Sequence, residues 1–276
     1  MRPRTCHRYA AGMPELEVGE SIGWNHGEAQ VYAARWQGRK AVLKRHRELR
    51  KHARERYGYA VWAHTGLLPE LLQTDAERLE LVLERVPAAL ALGQPQTEAM
   101  YRAAGVALRR LHDAAPRGLI FDDGRGDLQN LMDRYLPRAE GVLPDAQIRE
   151  VARQARELLR GSFPGVVLRH ADYTARNWLW DGTRLTVIDT EMARPGPAVL
   201  DVAKMINDLS VQENGEALLQ AFQHGYGREW TPDEAQFLAA VRSLDALILA
   251  VWCHRHDDLD GFEKMRAILL RLVSAC

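Results

Sequence analysis

Between His170 and Glu191 the chain gathers residue types suited to moving a phosphoryl group. His170-Ala171-Asp172-Tyr173-Thr174-Ala175-Arg176-Asn177 is followed, twelve residues after the asparagine, by Asp189 within Ile188-Asp189-Thr190-Glu191. Transfer from a nucleoside triphosphate asks three things of a protein: a carboxylate to orient and deprotonate the acceptor hydroxyl, oxygen ligands for Mg²⁺, and a cation on the phosphates that stay behind. Asp172 can serve as the carboxylate. Asn177 and Asp189 offer a neutral and an anionic oxygen, the hard donors that Mg²⁺ prefers. Lys44, closing the apolar run Ala41-Val42-Leu43, supplies the ammonium. Each is an ordinary loop or surface residue when taken singly, and only their linkage points to chemistry.

These residues need two kinds of support. The first third reads as strands at Val18–Ile22, Ala29–Arg35 and Lys40–Lys44, the last two joined by a two-residue turn at Gln37-Gly38. A helix is expected over 47–64, with Leu49, Ala53, Tyr57, Ala60 and Val61 as its apolar face and Gly66 and Pro69 ending it. Strands at 71–74 and 79–86 follow, around the polar turn 75–78, until Pro87 stops pairing. From Thr97 the pattern turns helical, beginning with Met100, Ala104, Ala107, Leu108 and Leu111. Short strands at 166–168, 178–180 and 185–188 interrupt the helices where the chemistry sits. The expectation is α+β, with an N-terminal nucleotide-binding lobe over 1–86 and a C-terminal catalytic and substrate-binding lobe over 87–276.

With the motif His-x-Asp-x-x-x-x-Asn and its following Ile-Asp, the chain resembles the aminoglycoside phosphotransferase family from about Val18 to Lys204. Two further stretches agree: Leu108-Arg109-Arg110-Leu111-His112, and Asp201-Val202-Ala203. The resemblance implies a protein-kinase-like bilobal fold, a small antiparallel-sheet lobe and a larger, mainly helical one. It implies ATP or GTP with Mg²⁺ as cofactors, Asp172 as catalytic base, Asn177 and Asp189 as metal ligands, and Asp201 as a brace for the loop. His170 is expected to hold the loop through backbone hydrogen bonds, and His112 to be a buried structural histidine.

In kinases the strand lysine pairs with a glutamate on the next helix. Glu55 is the expected partner of Lys44, with Glu48 the second choice because it lies too near the strand. Backbone at Glu84 and Val86 is expected to hold adenine, as at the interlobe hinge of the family, and Gly27 with Glu28 to approach the phosphates, although a full G-x-G-x-x-G pattern is missing. Ala171 stands where the family usually has glycine. Because alanine is comfortable only at negative φ, the loop is expected to take a conformation that does not need glycine there.

Composition narrows the acceptor. The formal net charge is zero, which argues against a nucleic-acid binder, and 46% of the residues are apolar, enough for a substantial core. No uncharged apolar stretch reaches the roughly 18 residues of a membrane span and no secretion signal is evident, so the expected location is cytoplasmic and no membrane partner is expected. Three cysteines, Cys6, Cys253 and Cys276, give no disulfide or zinc pattern. Basic residues crowd 35–56, whereas acidic ones dominate 201–263. Because the fold implied by the resemblance binds its substrates on the helical lobe, where these acidic residues lie, a cationic small molecule such as an aminoglycoside or basic cyclic peptide is the expected acceptor, with Glu191, Asp208, Asp245, Asp257, Asp258 and Asp260 as candidate contacts. The alternatives are a metabolic kinase for choline, a sugar or a glycated amine, and an ATP-binding regulator without turnover. No Asp-Phe-Gly or Ala-Pro-Glu segment follows the loop, which argues against a protein kinase.

Overall fold

The computed structural model describes residues 15–23, 29–114 and 122–274. The chain forms two compact units, drawn from Met1–Gln94 with Arg176–Ala193, and from Pro95–Ala175 with Arg194–Cys276. Chain order suggests a boundary after residue 86. By packing, the first unit runs on to Gln94 and takes back Arg176–Ala193, because the strands in that later stretch pair with the earlier one.

The first unit is built on a five-stranded antiparallel sheet of β1 (Leu16–Ser21), β2 (Ala29–Trp36), β3 (Arg39–His46), β4 (Leu71–Asp75) and β5 (Glu80–Glu84), in the order β1-β2-β3-β5-β4. The β2–β3 hairpin turns on Gln37 at φ 50° and Gly38 at φ 77°, the paired positive angles that match the twist of adjoining strands. Leu16, Ala34, Trp36, Ala41, Leu43 and Val82 form one core on this sheet. A second, three-stranded sheet joins β6 (Ala89–Leu90), β8 (Trp178–Trp180) and β9 (Leu185–Val187) in the order β6-β8-β9.

Helix α1 (Leu49–Trp62) corrects the expected buried face. Leu49 is 66% exposed, Tyr57 39% exposed, and Ala53 and Ala60 also face solvent. The buried stripe is instead His52, Glu55, Tyr59 and Trp62, with Gly58 and Val61 beside it. Spacings of three and four residues put the stripe on one side. Apolar periodicity pointed elsewhere because two members of the stripe are polar.

The second unit is mainly helical: α2 (Glu98–Ala114), α3 (Arg125–Ala139), α4 (Asp145–Arg160), α5 (Leu200–Leu209), α6 (Gly215–Tyr226), α7 (Pro232–Arg255) and α8 (Leu259–Ser274). The apolar stripe expected on α2 is buried throughout, from Met100 to Leu111. Helices α3, α4, α7 and α8 share one core that includes Met132, Val151, Leu247, Val251 and Leu269. Helix α7 starts at a capping box of Thr231 and Glu234, with proline in its first turn. It is long and apolar enough to cross a bilayer, but it carries Arg242 and Asp245, and 56% of its most apolar window is buried within the protein. The ribbon β7 (Val166–Arg169) and β10 (Arg194–Pro197) completes the unit. Two prolines hide β10 from propensity reasoning, and a two-stranded ribbon tolerates them because each strand keeps an unpaired edge.

Candidate active site

The hairpin β8–β9 sets the geometry of the proposed metal ligands. Asn177 ends a 3-10 turn (Ala175–Asn177) just before β8, and Asp189 follows just after β9. Trp178 pairs with Val187, and the Ile188 amide donates to the Asn177 carbonyl at 2.9 Å, so both ligands sit at the same end of the hairpin. Asp189 adopts φ 63°, a left-handed angle that acidic side chains tolerate better than most.

Lys44 reaches this end from β3. Its Nζ lies 2.6 Å from Asp189 Oδ1, 2.7 Å from Glu55 Oε2 and 3.2 Å from Glu191 Oε2. The Lys44 and Glu55 side chains are only 8% and 1% exposed. Two residues further along the same face of β3, His46 lies 2.8 Å from Glu55 Oε2 and 3.5 Å from Glu191 Oε2 through its two ring nitrogens. Lys51 adds a second ammonium 3.2 Å from Glu191 Oε1. Lys44 with Asp189 and Lys51 with Glu191 form hydrogen bonds, whereas the His46 nitrogens and the Glu55 oxygens come close without reaching hydrogen-bond geometry.

The charges tune one another. Burial pulls the Lys44 ammonium down, but Glu55, Asp189 and Glu191 more than offset it and hold it well above the usual lysine range. Burial pushes Glu55 up, and Lys44 with His46 overcomes that, bringing it down to about 2. Burial and the crowding of Glu55 and Glu191 push the Asp189 carboxyl up against the pull of Lys44. With 38% of that side chain exposed, like-charge crowding is the more important part. A surplus of carboxylate of this kind accepts a further cation. The oxygen-only pair Asn177 and Asp189 therefore fits Mg²⁺, by donor type and by charge.

Within the helical unit the loop carrying Asp172 is braced from below. Asp201, in the first turn of α5, accepts the His170 amide at 2.9 Å through Oδ2 and the Ala171 amide at 2.6 Å through Oδ1. The buried His112 holds Asp201 in turn, its Nε2 3.0 Å from Oδ2 and its Nδ1 2.9 Å from the Tyr226 hydroxyl. Burial pushes the Asp201 carboxyl up, but the hydrogen bond and charge of His112, with Arg169 and His170 nearby, hold it below the usual range. His170, itself buried, accepts the Asp172 amide at Nδ1, 3.3 Å away.

Ala171 departs from expectation. It adopts φ 63°, the left-handed conformation in which glycine would carry no penalty, so the loop keeps the glycine-type geometry with an alanine in it. The hydrogen bond that the Ala171 amide donates to Asp201 fixes that geometry against the cost of the Cβ.

The candidate substrate contacts separate into groups. Glu191 is engaged with Lys44 and Lys51 in the first unit. In the helical unit, Asp245 of α7 accepts from Asn207 Nδ2 at 3.1 Å, within electrostatic reach of Lys204, Asp208 and Asp172. Burial pushes the Asp245 carboxyl up to about 6. Asp208 lies 3.5 Å from Lys264 Nζ. Asp257, at φ 57°, belongs to the turn between α7 and α8, Asp258 accepts the Gly261 amide, and Asp260 lies in the first turn of α8. Trp178, Trp180 and Tyr173 are buried core residues, whereas Trp252 is half exposed and stacked on His256.

At the expected adenine position the Glu84 amide is already committed to the Glu70 carbonyl, 2.8 Å away, which leaves the Glu84 carbonyl and Val86 as candidate contacts. An open cavity of about 470 Å³ borders Val86, Pro87, Gln94 and Trp180, but neither Lys44 nor Asp189 lines it. Gly27 and Glu28 lie outside the described residues.

Three residues with clear places in these networks escaped sequence reasoning: His46, Lys51 and Lys204. The available signals were spacings, two residues along a strand from Lys44 and three along a helix from Asp201.

An ammonium held among carboxylates, beside a pair of hard oxygen donors, is the equipment of a phosphoryl-transfer enzyme. The sequence matches the phosphotransferase enzyme family over residues 24–238, most of its length, and the chain belongs to that family. Among solved structures it is similar to a thermostable mutant of aminoglycoside phosphotransferase APH(4)-Ia, in apo form, with 18% identity, a TM-score of 0.72, and coverage of 94% of this chain and 95% of that one. A choline/ethanolamine kinase family protein from Mesorhizobium loti follows with 20% identity, a TM-score of 0.66 and coverage of 96% and 92%. Macrolide 2'-phosphotransferase MphH from Brachybacterium faecium shares 21% identity, with a TM-score of 0.61 and coverage of 92% and 91%. No curated protein matches the sequence. Identities this low establish the α+β kinase-like fold and leave the acceptor open.

Proposed function

We propose that this phosphotransferase moves the γ-phosphoryl group of ATP to a hydroxyl of a cationic small molecule, with an antibiotic as the leading acceptor class. The observation that carries the phosphate-binding part is the position of Lys44, with its ammonium between Asp189, Glu55 and Glu191. Lys44 binds the α- and β-phosphates, and Glu55 keeps it extended from β3. Asn177 and Asp189 would hold Mg²⁺, which would supply positive charge to neutralise the phosphates. APH(4)-Ia is known in ternary complexes with ADP and hygromycin B and with AMP-PNP and hygromycin B, which supports ATP as donor here.

Asp172 stands five residues before Asn177 in the same loop, its backbone fixed by His170 while Asp201 clamps the two preceding amides. It orients the acceptor hydroxyl and takes its proton as the oxygen forms a bond to Pγ. The bond from Pγ to the β,γ-bridging oxygen breaks, and ADP leaves with that electron pair. Asp245 and Asp208 favour an amine-bearing acceptor: a carboxyl pushed up to about 6 by burial regains full ionisation when an ammonium docks against it.

Incubating the protein with MgATP and a panel including hygromycin B, choline and neutral sugars, with mass spectrometry for an added phosphate, tests this reading. A phosphorylated cationic product, lost in Asp172→Ala, is expected. Phosphorylation of neutral sugars alone would overturn the cationic acceptor, and undiminished turnover in Asp172→Ala would overturn the base. A choline-type metabolic acceptor is the second reading, favoured by the structural likeness to choline kinase LicA from Streptococcus pneumoniae, and the same panel separates it from the first.

A further inference from the structure

We propose that Lys204 is a positioning residue for Asp172, its ammonium holding the carboxylate aimed at the acceptor hydroxyl. The inference rests on the assignment of Asp172 as base. Lys204 Nζ lies 3.0 Å from Asp172 Oδ1, with the two side chains 23% and 22% exposed. Lys204 follows Asp201 by three residues on α5, so both project from one side of the helix. That side grips the loop twice. Asp201 fixes the backbone at His170 and Ala171, and Lys204 fixes the side chain that follows them.

A base needs its oxygen within hydrogen-bond reach of the acceptor hydroxyl, and a partner on one oxygen sets the direction of the other. The adjacent ammonium also favours the charged form of the carboxylate, the form that can accept a proton.

Lys204 answers to a second carboxylate. Its charge is the largest influence drawing the Asp245 carboxyl down, while burial, Asp208 and Asp172 push it up. Arg242, one turn earlier on α7, also faces Asp245, and Asn207 of α5 bonds to both of them.

Release of inorganic phosphate from MgATP, with water as acceptor, gives a readout that needs no identified substrate. In Lys204→Met we expect kcat to fall by at least about 10-fold with KM for ATP within about 2-fold, and the acid limb of the kcat–pH profile to move to higher pH. Lys204→Arg, which keeps the charge, should restore the position of the limb. Titration of the Asp172 carboxyl by carbon-13 NMR in the wild type and Lys204→Met should show the same upward move; an unmoved midpoint overturns the inference, whether or not turnover changes. Should Lys204→Met fail to fold, Lys204→Gln and Lys204→Arg make the same comparison. Wild-type turnover in Lys204→Met, alongside loss in Asp172→Asn, would sink the role of Lys204 alone. Full turnover in Asp172→Asn would sink the base assignment instead.

Discussion

Asp245→Asn should make the protein more stable at neutral pH and weaken its hold on a cationic acceptor. Burial pushes the Asp245 carboxyl up to about 6 from an ordinary 3.8. Between those two values the folded state keeps a proton that the unfolded chain has released, so stability from this group falls as pH rises from about 4 to about 6, and then levels off. The full difference corresponds to about 3 kcal/mol; the partial exposure of Asp245 and the nearby Lys204 reduce the expected gain to about 1–2 kcal/mol. Asparagine keeps the shape and can still accept from Asn207 Nδ2 through its carbonyl oxygen. Urea unfolding of wild type and variant at pH 4 and pH 8 provides the assay. The two should coincide at pH 4, with the variant ahead at pH 8 and the slope with urea unchanged. A stability difference that is the same at both pH values would refute the titration argument. A variant less stable at pH 8 would show that ionised Asp245 is a net stabilising partner of Lys204 and Arg242. A more stable protein with poorer acceptor binding is the usual exchange at a site that holds a buried charge for function.

Ala171→Gly should raise stability by about 0.5–1 kcal/mol: relief of a left-handed alanine is worth about 1–2 kcal/mol, and the extra freedom of glycine in the unfolded chain takes back part of it. Differential scanning calorimetry would show a small rise in Tm, and a fall would mean that the strain is absorbed elsewhere in the loop. Glu55→Ala should cost about 3 kcal/mol and raise KM for ATP, because Lys44 and His46 lose their shared buried partner; unchanged chemical denaturation would count against an integrated cluster. Gly105→Ala should cost about 3 kcal/mol or prevent folding, since a methyl there runs into the Phe222 carbonyl and the Tyr226 amide where α2 meets α6. A variant that melts with the wild type would show that the two helices can separate slightly at that crossing.

The proximity of Asn177 and Asp189 was legible in the sequence, because it depends on short covalent spacing: a hairpin this short returns the chain to where it began. The strands around Gln37-Gly38 and the buried stripe of α2 were legible for the same reason, since period and turn chemistry act over a few residues. Glu55 could be singled out because a strand lysine and the next helix are neighbours in sequence.

Other features were decided by packing between distant segments. The buried face of α1 carries His52 and Glu55 because Thr74 of β4 and the Glu80 carbonyl of β5 partner the first, while Lys44 and His46 of β3 compensate the second, so of the apolar residues counted only Val61 lies on it. Glu191 looked like an acidic contact and is an anchor for two lysines. Ala171 takes a glycine-like angle because Asp201, thirty residues later, holds its amide there. Sequence by itself determined which residues could do chemistry and the order of elements that carry them; tertiary structure decided which charges meet, since an ion pair is set by distance through space and leaves no period along the chain.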